Sequence, residues 1–194
     1  MKRLLVLVIS LVMILAMVAC EGGDKDKKSK FPEYKIDPQA TTLTVEGENG
    51  EKKVFTEEEL KKLGTETHSY SGRNKSVENA RQFFTYEGVD LKKVLKAAGL
   101  KQDGAGIKVF CADGYTREYR VDELYDLYYF PNNETDDKEN VTPMIALVPA
   151  DGSEKYPSPF KMVHGQEDYD TATTMDFNMQ GWASYMQYIQ VTYD

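Results

Sequence analysis

The chain has 194 residues, 32 acidic against 24 basic, and a formal net charge of −8 at pH 7. A surface of that sign repels nucleic acid and anionic headgroups, which excludes a nucleic-acid partner. It has 2 cysteines, one of them at the end of the leading apolar run, so there is no disulfide framework, no CxxC and no Cys/His metal spacing.

Lys2 and Arg3 precede an almost unbroken apolar run over residues 4–18. At about fifteen residues it falls short of the roughly 20 that a spanning helix needs, and it suits the apolar region of a signal peptide. The run ends in Met17-Val18-Ala19-Cys20. Small residues before a cysteine are what a lipoprotein signal peptidase reads, because its site must hold a narrow, extended backbone; Met17 stands where leucine is usual. The expectation is a diacylated Cys20, whose two chains give stable anchoring where one would be marginal. Ordinary secretion with cleavage near Ala19, or an uncleaved anchor, is the alternative. Lipidation points to a bacterium and to the extracytoplasmic face of its cell membrane, where the sequons at Asn74, Asn133 and Asn140 are chance. Without Lys2 and Arg3 the 24 basic residues fall to 22 against 32 acidic ones, a net charge of −10. Residues 1–20 thus read as signal peptide. Residues 21–33, charged and glycine-containing with little to bury, read as a flexible tether. Residues 34–194 read as one domain long enough for a core.

Residues 41–47 alternate Leu43 and Val45 with polar neighbours, the pattern of a half-buried strand. Glu48-Asn49-Gly50-Glu51 is a hairpin turn, since Asn-Gly accepts positive φ, and residues 52–55 return. Thr56 opens a helix, with Glu59 completing a capping box; Leu60 and Leu63 face the core and Gly64 ends it. Residues 65–80 are polar and irregular, a long loop of the kind that is often functional. Residues 81–86 resume as a strand. Asp90 caps a second helix with an apolar face of Leu91, Val94, Leu95 and Ala98, ended by Gly99. Residues 107–112 and 115–120 are strands joined at Asp113-Gly114, and Asp122 caps a short helix carrying Leu124 and Leu127. Residues 132–140 read as an acidic surface loop. Residues 144–148, a continuous apolar run, read as a central strand, residues 160–164 as another. Residues 185–193 read as the last strand, with Ile189 and Val191 on one face. Strands and short helices intersperse without regular βαβ units, so the fold class is α+β with a mixed sheet.

Three stretches in this order resemble the molybdopterin-binding domain of the sulfite oxidase family. Gly88-Val89-Asp90-Leu91, running to Ala98-Gly99, is similar to the family's Gly-Val-x-Leu strand-to-helix step. Val109-Phe110-Cys111-Ala112-Asp113-Gly114-Tyr115 is similar to its strand ending in Asp-Gly-Tyr. Pro159-Phe160-Lys161-Met162-Val163-His164-Gly165, followed by Ile189-Gln190-Val191, is similar to its Pro-x-Arg-x-Val segment and terminal Ile-x-Val. The resemblance implies a molybdenum cofactor held by one cysteine thiolate, upstream of the Gly-Val-x-Leu step in a loop often reading Cys-x-Gly-Asn-Arg. The counterpart here is Tyr70-Ser71-Gly72-Arg73-Asn74, with Tyr70 in the cysteine's place, and Lys161 near an anion-binding arginine. The implied cleft is framed by Tyr70, Ser71, Gly72 and Arg73, by Asp113, Gly114 and Tyr115, and by Lys161, Gly165 and Gln166; Arg73, Lys75, Arg81, Lys161 and His164 are its cations. Molybdenum needs a soft anionic sulfur, and a phenol with a pKa of about 10 is a poor substitute. The resemblance therefore implies a degenerate member that binds no molybdopterin and acts as a binding or accessory module. An active molybdopterin-dependent oxidoreductase is the alternative.

The remaining candidates each carry two readings. His68 and His164 are a shared acid/base or metal pair, or lone surface or loop side chains. Cys111 is a reactive thiol, or a small hydrophobe inside a strand. The acidic loop is a Ca²⁺ site without the EF-hand pattern, or a solvated loop. Tyr125, Tyr128, Tyr129 and Phe130, with Trp182, Tyr185, Tyr188 and Tyr193, are a binding surface for a small ligand or an envelope protein, or ordinary half-buried strand residues. The partners expected are the membrane, through the lipid, and an unidentified ligand or envelope protein.

Overall fold

The computed structural model describes residue 31 and residues 33–73, 81–132, 137–148, 155–167 and 181–193. The expected signal peptide, Cys20 and most of the expected tether lie outside these residues. So do Asn74, Lys75 and Asn133, and much of the loop that follows Gln166.

The chain opens with the expected hairpin. β1 (Leu43–Glu46) pairs with β2 (Lys52–Phe55) across a turn in which Gly50 adopts φ 77°. Thr56 and Glu59 form the capping box of α1 (Glu57–Lys61), which buries Leu60. The long polar loop expected next is a strand instead. β3 (Glu66–Arg73) pairs antiparallel with β4 (Arg81–Asp90) from Glu66↔Gly88 to Arg73↔Arg81. Its small polar residues hid a two-residue period: Thr67 and Ser69 point outward while Tyr70 is buried. Cross-strand pairing then overrides a composition that reads as loop.

Asp90 caps α2 (Leu91–Ala97) through the Lys92 amide at 2.7 Å, and Leu91, Val94 and Leu95 are buried as expected. β5 (Ala105–Cys111) turns through Gly114 at φ 91° into β6 (Thr116–Arg120). The cap expected of Asp122 is not made. Arg120 is the N-cap residue of α3 (Val121–Tyr125), without a side-chain cap, and the Asp122 carboxylate accepts from the Gly104 amide at 3.0 Å. Asp122 is still favourably placed in the first turn, where the helix dipole welcomes a negative charge. β7 (Tyr128–Tyr129) pairs with β8 (Glu139–Asn140), so the end of the expected acidic loop is a strand. β9 (Met144–Leu147), β10 (Phe160–Val163) and β11 (Met186–Tyr193) complete the fold.

Two sheets hold these strands, in the orders β2-β1-β11-β5-β6 and β10-β9-β4-β3, with β7-β8 as a small ribbon. β1 and β11 run parallel, whereas the other pairs are antiparallel. The fold is thus α+β with a mixed sheet, as the sequence implied.

The main core joins Val45, Ile107, Val109, Ile189 and Val191 of the five-stranded sheet to Val89, Ile145, Leu147, Phe160 and Met162 of the other, closed by helix residues such as Leu60, Leu95 and Leu124. β9 is buried on both faces. Ile145 and Leu147 face this core, while Met144 and Ala146 join a second cluster with Tyr70, Val141, Val163 and Trp182. That two-sided burial is why its sequence is a continuous apolar run rather than an alternation.

The other face of the five-stranded sheet is crossed by the stretch that precedes β1. Phe31 is buried, the Tyr34 ring stacks on Tyr188 at 3.7 Å, and the Asp37 amide donates to Gln187 Oε1 at 2.9 Å.

Gly88 marks the tightest approach between β4 and β9. A Cβ there would lie 2.5 Å from the Ile145 carbonyl oxygen and 2.7 Å from the Ala146 Cα. Both are backbone atoms of a buried strand and cannot swing aside. Gly88→Ala is expected to destabilise the domain by about 1–3 kcal/mol, read as a lower urea midpoint at unchanged slope.

Candidate functional site

Tyr70 sits in the interior of β3 and is fully buried. Its hydroxyl donates to the Thr142 carbonyl at 2.6 Å. Around it lie Trp182, edge-on at 6.1 Å, and Tyr86 at 6.1 Å, with Phe84 and Tyr86 stacked on each other at 6.0 Å. Lys161 caps this cluster: its ammonium donates to the Tyr86 hydroxyl at 3.1 Å and lies 5.1 Å and 5.3 Å from the Tyr86 and Trp182 ring centres. The cation is held by the rings it covers. Burial, the largest cause, together with Asp90 and Glu66, holds the Tyr70 phenol well above its ordinary pKa, so it stays neutral.

The next residue on β3 faces the other way. Ser71 is buried; its Oγ accepts from the Phe130 amide at 3.1 Å and donates to Gln166 Oε1 at 3.3 Å. The Gln166 backbone pairs with Tyr128 through two 2.8 Å bonds. Gly165 lies so close to that segment that a Cβ would come within 2.6 Å of the Tyr128 nitrogen. Arg81 joins them, its guanidinium 4.8 Å over the Phe130 ring and donating to the Asn132 carbonyl at 3.0 Å. The structure therefore unites Ser71, Gly165 and Gln166, but as buried framework. Gly72 is buried opposite Gln82, and Arg73 closes the strand opposite Arg81, its side chain outside the described set.

Asp113, Gly114 and Tyr115 belong to the other sheet, at the β5–β6 turn, where Asp113 Oδ1 accepts from the Tyr115 amide at 2.9 Å. Asp113 and Gly114 are exposed, while Tyr115 leans on the main core. Cys111 is fully buried in that core, and burial pushes its thiol up to about 12. The two histidines have separate partners. His68 is half-buried beside the Glu66 carboxylate at 3.2 Å. His164, against the surface or loop reading, is fully buried, with Nδ1 2.8 Å from the Gly165 carbonyl, Nε2 3.3 Å from the Gly181 carbonyl and the Tyr119 ring edge-on at 5.8 Å. The expected tyrosine clusters are largely structural: Tyr125 donates to Asp90, Tyr188 donates to Glu46 and Tyr193 bonds the Lys101 carbonyl at 3.0 Å.

A cleft of about 180 Å³ opens beside the third family-like stretch, lined by Val148, Tyr156, Ser158, Phe160, Lys161 and Tyr185, among others. The Tyr156 and Tyr185 rings stand 5.4 Å apart at its rim, and Ser158 donates to the Met186 carbonyl beneath it. Among the described residues Tyr185 is the one non-glycine with positive φ, at 58°. A bulky residue held there stores backbone strain, which concentrates at functional positions. Sequence reasoning counted Tyr185 with the aromatics and missed Tyr156; the prolines that follow it in Tyr156-Pro157-Ser158-Pro159 were the available signal.

The residues present do not fit a thiolate-held molybdenum cofactor. The position implied for the sulfur carries a neutral, sealed phenol with its hydroxyl committed to a carbonyl, and Cys111 is enclosed in the main core on the other sheet. Among the described residues no group of three or more His, Cys, Asp and Glu side chains is placed to hold a metal ion.

The buried titratable groups set the pH response. For His164 burial outweighs the two carbonyls, which favour the cation, so its pKa falls below 6.5. The unfolded chain then takes the proton more readily, and this contribution to stability, intact above pH 6.5, is lost as pH falls through the folded value. For Cys111 the sign is reversed: stability is intact below pH 9.0 and is lost as pH rises from there towards about 12. Urea midpoints across pH are expected to fall at both ends, His164→Gln flattening the acid side and Cys111→Ala the alkaline one. Iodoacetamide is expected to label Cys111 only in denaturant.

No protein-family model matches the chain, and no curated protein matches it. Among solved structures it is similar to the sulfane dehydrogenase SoxCD from Paracoccus pantotrophus, with 14% sequence identity and a TM-score of 0.51. The match covers 81% of this chain and 39% of that one, so the chain spans well under half its length. At such identity the likeness shows the fold alone: the chain is a distant fold relative of SoxCD.

Proposed function

We propose that this chain is a non-catalytic binding module of the cell envelope, carried on a sulfite-oxidase-like fold and tethered through a lipid on Cys20. The observation that supports it is the sealed phenol of Tyr70. A redox site of this fold needs a soft anion exposed to a cofactor, whereas Tyr70 is buried beneath Trp182, Phe84 and Tyr86. Lys161, the counterpart of an anion-binding arginine, spends its charge on two aromatic rings. The ligand side of this reading is the cleft between Tyr156 and Tyr185. Its volume of about 180 Å³ lies below the roughly 300–1,000 Å³ of drug-sized sites, so it suits a small, flat compound.

Two measurements test this. The full chain, expressed in a host that makes molybdopterin and purified without chelator, is expected to carry less than about a tenth of an equivalent of molybdenum and no pterin fluorescence. Near-stoichiometric metal would favour the oxidoreductase alternative and sink the proposal. Cys20→Ser is expected to shift the protein from the membrane to the soluble extracytoplasmic fraction and to remove the lipid mass from the mature chain; an unchanged mass would rule out the anchor.

A further inference from the structure

The outer face of the five-stranded sheet carries an anomaly that the Tyr70 cluster and the Tyr156 cleft do not absorb. Gln187, Gln190 and Thr192 follow one another along β11, are 1%, 3% and 4% exposed, and are polar. Among the described residues, Gln187 Nε2, Gln190 Oε1 and Thr192 Oγ1 have no hydrogen-bond partner. Buried polar atoms are almost always satisfied, and an exception calls for a missing partner. Three in six residues of one central strand, where burial is complete on the opposite face, make a row. Gln190 and Thr192, two apart on one strand, project from the same face about 7 Å from each other.

We propose that this face is a binding site for a neutral saccharide, held shut where Tyr34 and Asp37 lie on Tyr188 and Gln187. The orphaned atoms are an amide nitrogen, an amide oxygen and a hydroxyl, a neutral set of donors and acceptors that matches sugar hydroxyls, each of which can donate and accept. Lys108 and Lys52 reach the edges of the face, 5.7 Å over Phe110 and 5.4 Å over Tyr188, and each is paired, with Glu118 at 3.2 Å and with Glu46 at 3.6 Å. The acidic chain as a whole disfavours an anionic ligand. Beside the row lies an aromatic platform, Tyr188 with Phe110 edge-on at 6.2 Å, whose π faces suit the C–H face of a pyranose.

Tyr34 already occupies that platform in the manner of a ligand. Its ring stacks on Tyr188 at 3.7 Å with an interplanar angle of 27°, meets Phe110 edge-on at 5.3 Å, and its hydroxyl donates to Gln187 Oε1 at 3.4 Å. The Asp37 amide holds the same oxygen at 2.9 Å. Residues 33–37 form no strand with the sheet they cover. The latch is thus one stacked ring and two hydrogen bonds to Gln187, which a stacked sugar with its own hydroxyls would replace.

The full chain in detergent micelles, titrated calorimetrically with maltotetraose, cellotetraose and chitotetraose, tests this. Tyr34→Ala is expected to bind at least one of them tenfold or more tighter than the native chain, and Asp37→Pro, which removes one latch bond and spares the ring, to bind it more tightly too. Adding Tyr188→Ala or Gln190→Ala to the opened chain is expected to weaken binding tenfold or more, with the thermal melt confirming a folded domain. No binding of any of the three sugars by either opened variant overturns the proposal, as does binding indifferent to Tyr188→Ala. Molybdenum content enters neither readout, so this test and that of the envelope-module reading fail separately.

Discussion

Burial of β9 on both faces is the constraint from which the rest of the molecule follows. A strand sandwiched between two apolar layers needs side chains that alternate in direction but not in polarity, and Met144, Ile145, Ala146 and Leu147 supply them. One layer is the main core shared by the two sheets. The other is the aromatic cluster in which Tyr70 is locked. Its hydrogen-bonded neighbour β4 approaches so closely that only a glycine, Gly88, fits opposite Ile145 and Ala146. That close pairing carries β4 into Asp90 and the start of α2, so the family-like strand-to-helix step is where the second layer is secured.

The same constraint decides what the Tyr70 region can do. A cofactor cleft needs an open wall and an exposed ligand atom, and the second layer uses that space for packing. Trp182 shows how completely: its indole N–H donates to the His164 carbonyl at 3.0 Å while its ring faces Tyr70, Phe84 and Tyr86. Aromatic rings packed edge-to-face fix one another's orientation and resist rearrangement.

Much of the fold was legible in the sequence because local chemistry and tertiary demand agree there. The Asn-Gly turn, the Thr56–Glu59 capping box, the Asp90 cap and the glycines at 64, 99 and 114 announce their conformations within a few residues. β3 was illegible for the opposite reason: Thr67, Ser69 and Ser71 belong equally to loops, and only pairing with β4 makes them strand. Asp122 was misplaced because its partner, the Gly104 amide, is distant along the chain. For the site, the resemblance implied Tyr70 as the counterpart of the sulfur ligand, but whether Tyr70 is open or sealed depends on Trp182, 112 residues downstream, and no local pattern reports it. The orphaned row on β11 was equally hidden. Gln190 and Thr192 read as the polar half of an alternating strand, yet both are buried.

The parallel pairing of β1 with β11 has a consequence in time. Val45 lies opposite Ile189, and the β5 residue Val109 lies opposite the same Ile189 on the other side. Until β11 has been made, β1 and β5 have nothing between them, and the larger sheet is two separate hairpins without a common middle. Contacts so remote along a chain form late, because their loop-closure entropy must be met before any of them is rewarded. The larger sheet is therefore completed last, after its hairpins and the smaller sheet have been made.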